Sequence, residues 1–156
     1  MIRPTRFGAP AAQVLVAAAQ AEAAARYGSP DESAVESIQF DPPEGGFLVA
    51  WHSGEAIGCV GWRTLSHFSD DGVPEDVGEI KRMYAVPGAR GTGVAQQLLA
   101  AVENLARAAG MHRMVLETGM AQPEAVRFYE KSGYQRITNY GLYRNDPACV
   151  SFGRDL

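Results

Sequence analysis

From Val94 onward, the apolar residues Val94, Leu98, Ala101, Val102 and Leu105 recur three or four apart, the spacing of one helix face. Gly110 stands where a terminating glycine belongs. Two further segments read as helices. Pro10 to Tyr27 is alanine-rich, with Pro10 suited to a first helical turn and Gly28 to the end. Residues 122–132 are polar on one side, with Pro123 near the start, Glu124 in the first turn and Gly133 just past the end. A short helix is also expected around Glu32 to Ile38, before Pro42, Pro43, Gly45 and Gly46 break the chain. Elsewhere the apolar residues form short strand-like runs. "FLVAWH" and "AIGCVGWRTL" flank an "SGE" turn and predict a hairpin. The polar loop "SHFSDDGVPEDVG" leads into a third long strand, "EIKRMYAV". "MHRMVLET", "YQRITNY", "ACVSFGRD" and residues 1–4 complete the set. The order β-α-(α)-β-β-β-α-β-α-β-β predicts an α/β fold, a mixed sheet with helices on its faces. Strand, glycine turn, helix and strand form a right-handed crossover by default.

Composition narrows the field. The 156 residues contain no repeat or long linker and predict one domain, 1–156, large enough to bury roughly 70% of its unfolded surface. With 14 basic and 18 acidic residues the net charge is -4, which argues against nucleic acid as the main partner. No apolar run approaches the ~20 residues that span a bilayer. Arg3 and Arg6 before the alanine-rich run loosely imitate a targeting peptide. The apolar core "VLVAAA" is short and flanked by Gln13 and Gln20, so a soluble amphipathic helix and a cytoplasmic location are expected. Cys59, Cys149, His52, His67 and His112 show no metal-ligand spacing, and the cysteines are expected as buried thiols.

The stretch with the strongest chemical signal is "EIKRMYAVPGARGTGVAQQLL", where a strand meets a helix through Gly88, Gly91 and Gly93. The first N–H groups of a helix lack intrahelical partners, and the dipole adds about half a positive charge there. Small residues let a phosphate reach those groups, and Arg90 adds a full charge. A P-loop is excluded, because Gly93 is followed by Val94 and Ala95 rather than Lys-Ser/Thr. A dinucleotide fingerprint lacks its third glycine, although Glu117 does follow the next strand. A turn that binds nothing is the plain alternative.

"RGTGVA", preceded by "KRMYAVP" and followed by "QQLL", resembles the acetyl-CoA signature of the GNAT superfamily of N-acetyltransferases, Gln/Arg-x-x-Gly-x-Gly/Ala, at Arg90, Gly93 and Ala95. A second block, "LETGMAQPEAVRFYEKSGY", is similar to the later motif of that family, in which a helix carries a tyrosine and ends at Gly-Phe or Gly-Tyr. The resemblance implies a mixed, mostly antiparallel sheet splayed in the middle. It implies that Met83, Tyr84 and Ala85 offer backbone groups to a pantetheine arm, as an added strand would. The diphosphate of acetyl-CoA would then lie on the turn Arg90, Gly91, Thr92, Gly93, Val94, Ala95 and Gln96. Gln122 stands where the family often has Asn, and Phe128 would line the cofactor.

The implied activity is transfer of an acetyl group to a primary amine by direct attack on the thioester. This needs a neutral amine, a donor for the oxyanion and a proton or hydrogen bond for the departing thiolate. By family position, Tyr129 is the acid and the Met83 N–H the oxyanion donor; without the motif, Tyr129 reads as a core aromatic. Glu79 and Glu117 both qualify as base, and each also reads as a solvated strand-end carboxylate. Asp70, Asp71, Glu75 and Asp76 would form an acidic rim that attracts a cationic amine, and Tyr140, Tyr143 and Phe152 would line an acceptor pocket or belong to the core. A non-catalytic acyl-CoA-binding module on the same fold is the alternative function. Pairing of C-terminal strands between copies would give a homodimer.

Overall fold

The computed structural model describes residues 1–65 and 76–156. Of the acidic residues before the third long strand, Asp70, Asp71 and Glu75 lie outside the described residues. Seven strands form one sheet: β1 (Ile2–Pro4), β2 (Gly45–His52), β3 (Glu55–Thr64), β4 (Val77–Ala85), β5 (Arg113–Gly119), β6 (Gln135–Ile137) and β7 (Cys149–Asp155), in the order β1-β2-β3-β4-β5-β7-β6. All neighbours are antiparallel except β4 and β5. The helices are α1 (Pro10–Tyr27), α2 (Val94–Ala108) and α3 (Pro123–Lys131).

Side-chain alternation explains the layering. On β2, Leu48 and Ala50 join the cluster that contains Leu98, Val102 and Ala106 of α2. Phe47 and Val49 join the opposite cluster, with Ala12 and Leu15 of α1 and Phe40. Both faces of this strand are therefore covered, and each large apolar side chain so buried contributes about 1.5–3 kcal/mol. The short helix expected around Glu32 to Ile38 is instead a single 3-10 turn, Ser37–Phe40. Ahead of it the Asp31 carboxylate accepts from both the amide and the hydroxyl of Ser33. Such local bonds compete with helix formation.

The middle of the sheet opens for two reasons. β4 pairs with β5 only from Val77 to Glu79, opposite Arg113 to Val115. Against β3, Tyr84 faces Cys59 but Lys81 faces Gly61, so two residues of β4 oppose the single Val60. That is a β-bulge. Arg82 sits in it with φ 57°, a left-handed conformation uncommon outside glycine. The bulge turns the end of β4 away from β5 and leaves one edge of Ile80–Ala85 without a strand partner among the described residues.

Candidate active site

The opening holds a cleft of about 450 Å³. Its walls come from Met83, Tyr84 and Ala85 on β4, from Arg90, Gly91, Gly93, Val94, Ala95 and Gln96 around the start of α2, and from Gln122, Phe128 and Tyr129 at α3. Glu117 of β5 also lines it. Thr92 is not part of the lining; its hydroxyl donates back to the carbonyl of Ala89 and braces the turn. Gly93 caps α2 with φ 90°, and no side chain caps the helix. The first amides of α2 therefore face the cleft with no acceptor inside the helix. A Cβ at Gly91 would meet nothing within 4 Å, so there is room for a bulky anion. Arg90 donates to the Ala85 carbonyl (3.0 Å) and pairs with Glu22 of α1 (2.8 Å). Helix start, bare strand edge and cation together fit a diphosphate with an extended amide-bearing arm.

A second cavity of about 360 Å³ adjoins the first, sharing Asp31, Glu117, Thr118 and Gln122 with it. Glu117 is half-buried, and burial is the main cause raising its carboxyl above the ordinary glutamate value, with the Glu79 charge adding to it. Cys149 partly offsets the effect by donating from Sγ to Glu117 Oε2 at 3.4 Å. The Cys149 thiol is itself pushed up to about 11, first by burial and then by Glu117, so it remains a neutral donor. Gly141 packs against the Glu117 carboxylate so closely that any Cβ there would collide with it. Both cysteines are free; Cys59 is fully buried and Cys149 only partly.

Asp31 organises the wall between the two cavities. Its carboxylate takes Lys81 at 3.2 Å, Arg82, Ser33 and the Tyr143 hydroxyl at 3.1 Å. Burial alone would raise its pKa, but Lys81, Ser33 and Arg82 together hold it well below the usual carboxylate range. Its backbone is clasped on both sides by the Gln20 side chain of α1. Sequence reading did not single out Asp31. The available signal was the Lys81–Arg82 doublet inside a strand whose one acid is Glu79, which requires a further counter-charge without naming it.

Glu79 and Tyr129 sit differently. Glu79 is 3% exposed and lines neither cavity. It is directly opposite Arg63 on β3, which it meets at 3.0 and 3.1 Å, and it accepts from the Tyr140 hydroxyl at 2.6 Å. Tyr129 lines the first cleft, with its ring against Phe128, Tyr134 and Phe152. Burial raises its phenol well above the ordinary value.

The family model described as "Acetyltransferase (GNAT) family" matches residues 14–134. The chain belongs to the GNAT acetyltransferase family. It is 37% identical over 114 residues to the IAA acetyltransferase of Azospirillum brasilense, covering 73% of this chain and 70% of that one. A crystal structure of a Klebsiella pneumoniae protein assigned as an acyl-CoA N-acyltransferase superposes with a TM-score of 0.79 at 29% identity, over 100% of this chain and 97% of that one. A GNAT acetyltransferase of Elizabethkingia anophelis, solved with acetyl-CoA bound, shares the fold at a TM-score of 0.69 and 18% identity, over 100% of this chain and 97% of that one. The splayed, mostly antiparallel GNAT sheet expected from the sequence is the architecture found.

Proposed function

We propose that residues 1–156 act as one catalytic unit that transfers an acetyl group from acetyl-CoA to a primary amine, with Glu117 as the base. The observation that carries this reading is the position of Glu117 on both cavities at once, beside the donor cleft and the adjoining pocket. Acetyl-CoA supplies an activated acyl group as a thioester. The uncapped amides from Val94 to Gln96 hold its diphosphate, and the free edge of Met83–Ala85 aligns its arm. Glu117 takes the proton of the bound ammonium, directly or through water, and the amine attacks the acyl carbon. The Met83 N–H steadies the oxygen of the adduct. As the adduct collapses and the C–S bond breaks, the second proton of the former ammonium passes from the adduct nitrogen to the departing thiolate or to water, and Tyr129 donates a hydrogen bond to that thiolate. Burial keeps its phenol well above the ordinary thiol value of about 8.5, so complete proton transfer is uphill and its role is that of a donor.

The test is release of free thiol from acetyl-CoA, followed with a panel of amines. Amine-stimulated release supports the reading, and its absence with every amine overturns it in favour of a binding module. Tyr129→Phe is expected to lower kcat about ten- to a hundredfold, the worth of one hydrogen bond to a charged atom, with CoA affinity unchanged in a binding titration. Gly93→Val is expected to weaken CoA binding at least about tenfold, because a β-branched residue at φ 90° distorts the turn at a cost of roughly 1–3 kcal/mol and intrudes on the phosphate site. Gly110→Val is the control. Gly110 has φ 94° with open space beside it, at the far end of the same helix. It should lower Tm to a similar degree while leaving the CoA Kd unchanged.

A further inference from the structure

One side of the second cavity is formed by a strap, which contributes Tyr143, Asp146 and Ala148 to its lining. The segment 138–148 between β6 and β7 crosses from the far edge of the sheet and is fixed at several points. Asn139 Nδ2 donates to the Cys149 carbonyl at 3.3 Å, and Tyr140 donates to the buried Glu79. The Asp146 carboxylate accepts from the Ala148 amide at 2.8 Å. The decisive contact is Tyr143. Its hydroxyl donates to Asp31 Oδ1 at 3.1 Å and accepts from the Glu32 amide at 2.6 Å. It thereby ties the strap to the segment after α1, more than a hundred residues away in the chain.

Tyr143 is bonded to a carboxylate that is already immobilised. Asp31 is held by Lys81 and Arg82 of β4, and its backbone by Gln20 of α1. Tyr143, Asp31, Pro30 and Ser29 all line the pocket, so the bridge is part of its wall. At about 360 Å³ the chamber lies at the small end of ligand sites, which run to about 300–1,000 Å³.

We infer that the Tyr143–Asp31/Glu32 bridge restricts the acceptor to a free small-molecule amine and excludes a polypeptide N-terminus or a lysine within a protein. This rests on the acetyltransferase reading above. A small amine places its nitrogen at Glu117 and its body between the Tyr27 and Tyr143 side of the pocket and Thr118. With both hydrogen bonds of Tyr143 in place, the wall on that side gives a chain no passage, so an acceptor longer than the chamber that extended there would break them.

The experiment compares thiol release by the intact chain with two acceptor series. One holds amino acids, diamines and arylalkylamines; the other holds peptides of two to six residues with the same terminal amines, together with a folded protein. Small amines should stimulate release, and the rate should fall to the hydrolysis background as peptide residues are added. In Tyr143→Phe the KM for the best small amine should rise about tenfold, the worth of a hydrogen bond to a charged partner. Dipeptides should gain rate relative to it, and CoA affinity should stay the same. Peptides or protein acetylated as fast as small amines by the unaltered chain would overturn the inference while leaving the transferase reading intact. So would a Tyr143→Phe variant with an unchanged ratio of small-amine to dipeptide rates. Failure of every acceptor would overturn both readings together.

Discussion

Glu117→Gln is expected to lower kcat/KM for the amine by about 10²- to 10⁴-fold, the usual contribution of a general base, with CoA affinity unchanged. The substitution keeps the shape of the side chain and can still accept from Cys149, so only the proton-accepting charge is lost. The pH profile gives an independent check. Because burial raises the carboxyl of Glu117, the acidic limb of kcat/KM should lie above the ordinary glutamate value and disappear in the variant. Stability moves the opposite way. A carboxyl whose folded pKa is raised favours the fold below its unfolded value, and that contribution is lost as pH rises through the folded value. Above that window Glu117→Gln should therefore melt no lower than the parent, and slightly higher if the buried charge is the main penalty. A large fall in Tm at neutral pH, or normal turnover, would remove Glu117 from the mechanism. Stability and rate curves measured from pH 4 to 9 decide this.

Glu79→Ala is expected to show the reverse pattern, a large loss of stability. Arg63 and Glu79 are each 4% exposed at the side chain and meet at 3.0 Å. Removing one partner of a buried ion pair is strongly destabilising, at about 3–5 kcal/mol. For a chain of this size that is a fall in Tm of roughly 10 °C. Arg63 also holds the Ala34 carbonyl at 2.7 Å and the Gln39 side chain at 2.9 Å, so the segment after α1 should loosen too. Arg63→Met combined with Glu79→Met should recover part of the loss, since replacing both ions with apolar groups is often neutral, the remainder being set by the Tyr140 hydroxyl and Ala34 carbonyl that lose their partners. Thermal denaturation of the two variants checks this. A stable Glu79→Ala protein without activity would return the base to Glu79.

The contrast between these two glutamates marks where sequence reading stops. Both stand on strands and both qualify as base by residue type and place in the chain, so the sequence treats them alike. They differ by register. Glu79 falls opposite Arg63 across β3 and β4, whereas Glu117 falls opposite Ser151, with Cys149 two residues along the same strand. Register across a long connection is a tertiary property that local pattern cannot supply. The elements themselves were legible, because the helical repeat from Val94 and the glycines at 28, 93, 110 and 133 mark boundaries locally; all four glycines have positive φ. The turn at α2 was legible for the same reason. The Asp31 hub was not, since Lys81, Arg82 and Tyr143, the partners that make it a hub, lie 50 to 112 residues away and its own neighbourhood reads only as an irregular polar stretch.

The partition built on Asp31, Thr118 and Glu117 has a kinetic corollary. The two cavities meet at this common boundary, so under the proposed transferase reading both ligands can be resident together and the acyl group has no distance to travel on a carrier. Initial-rate plots at varied concentrations of the two should intersect rather than run parallel, the mark of a ternary encounter instead of a relay through the protein.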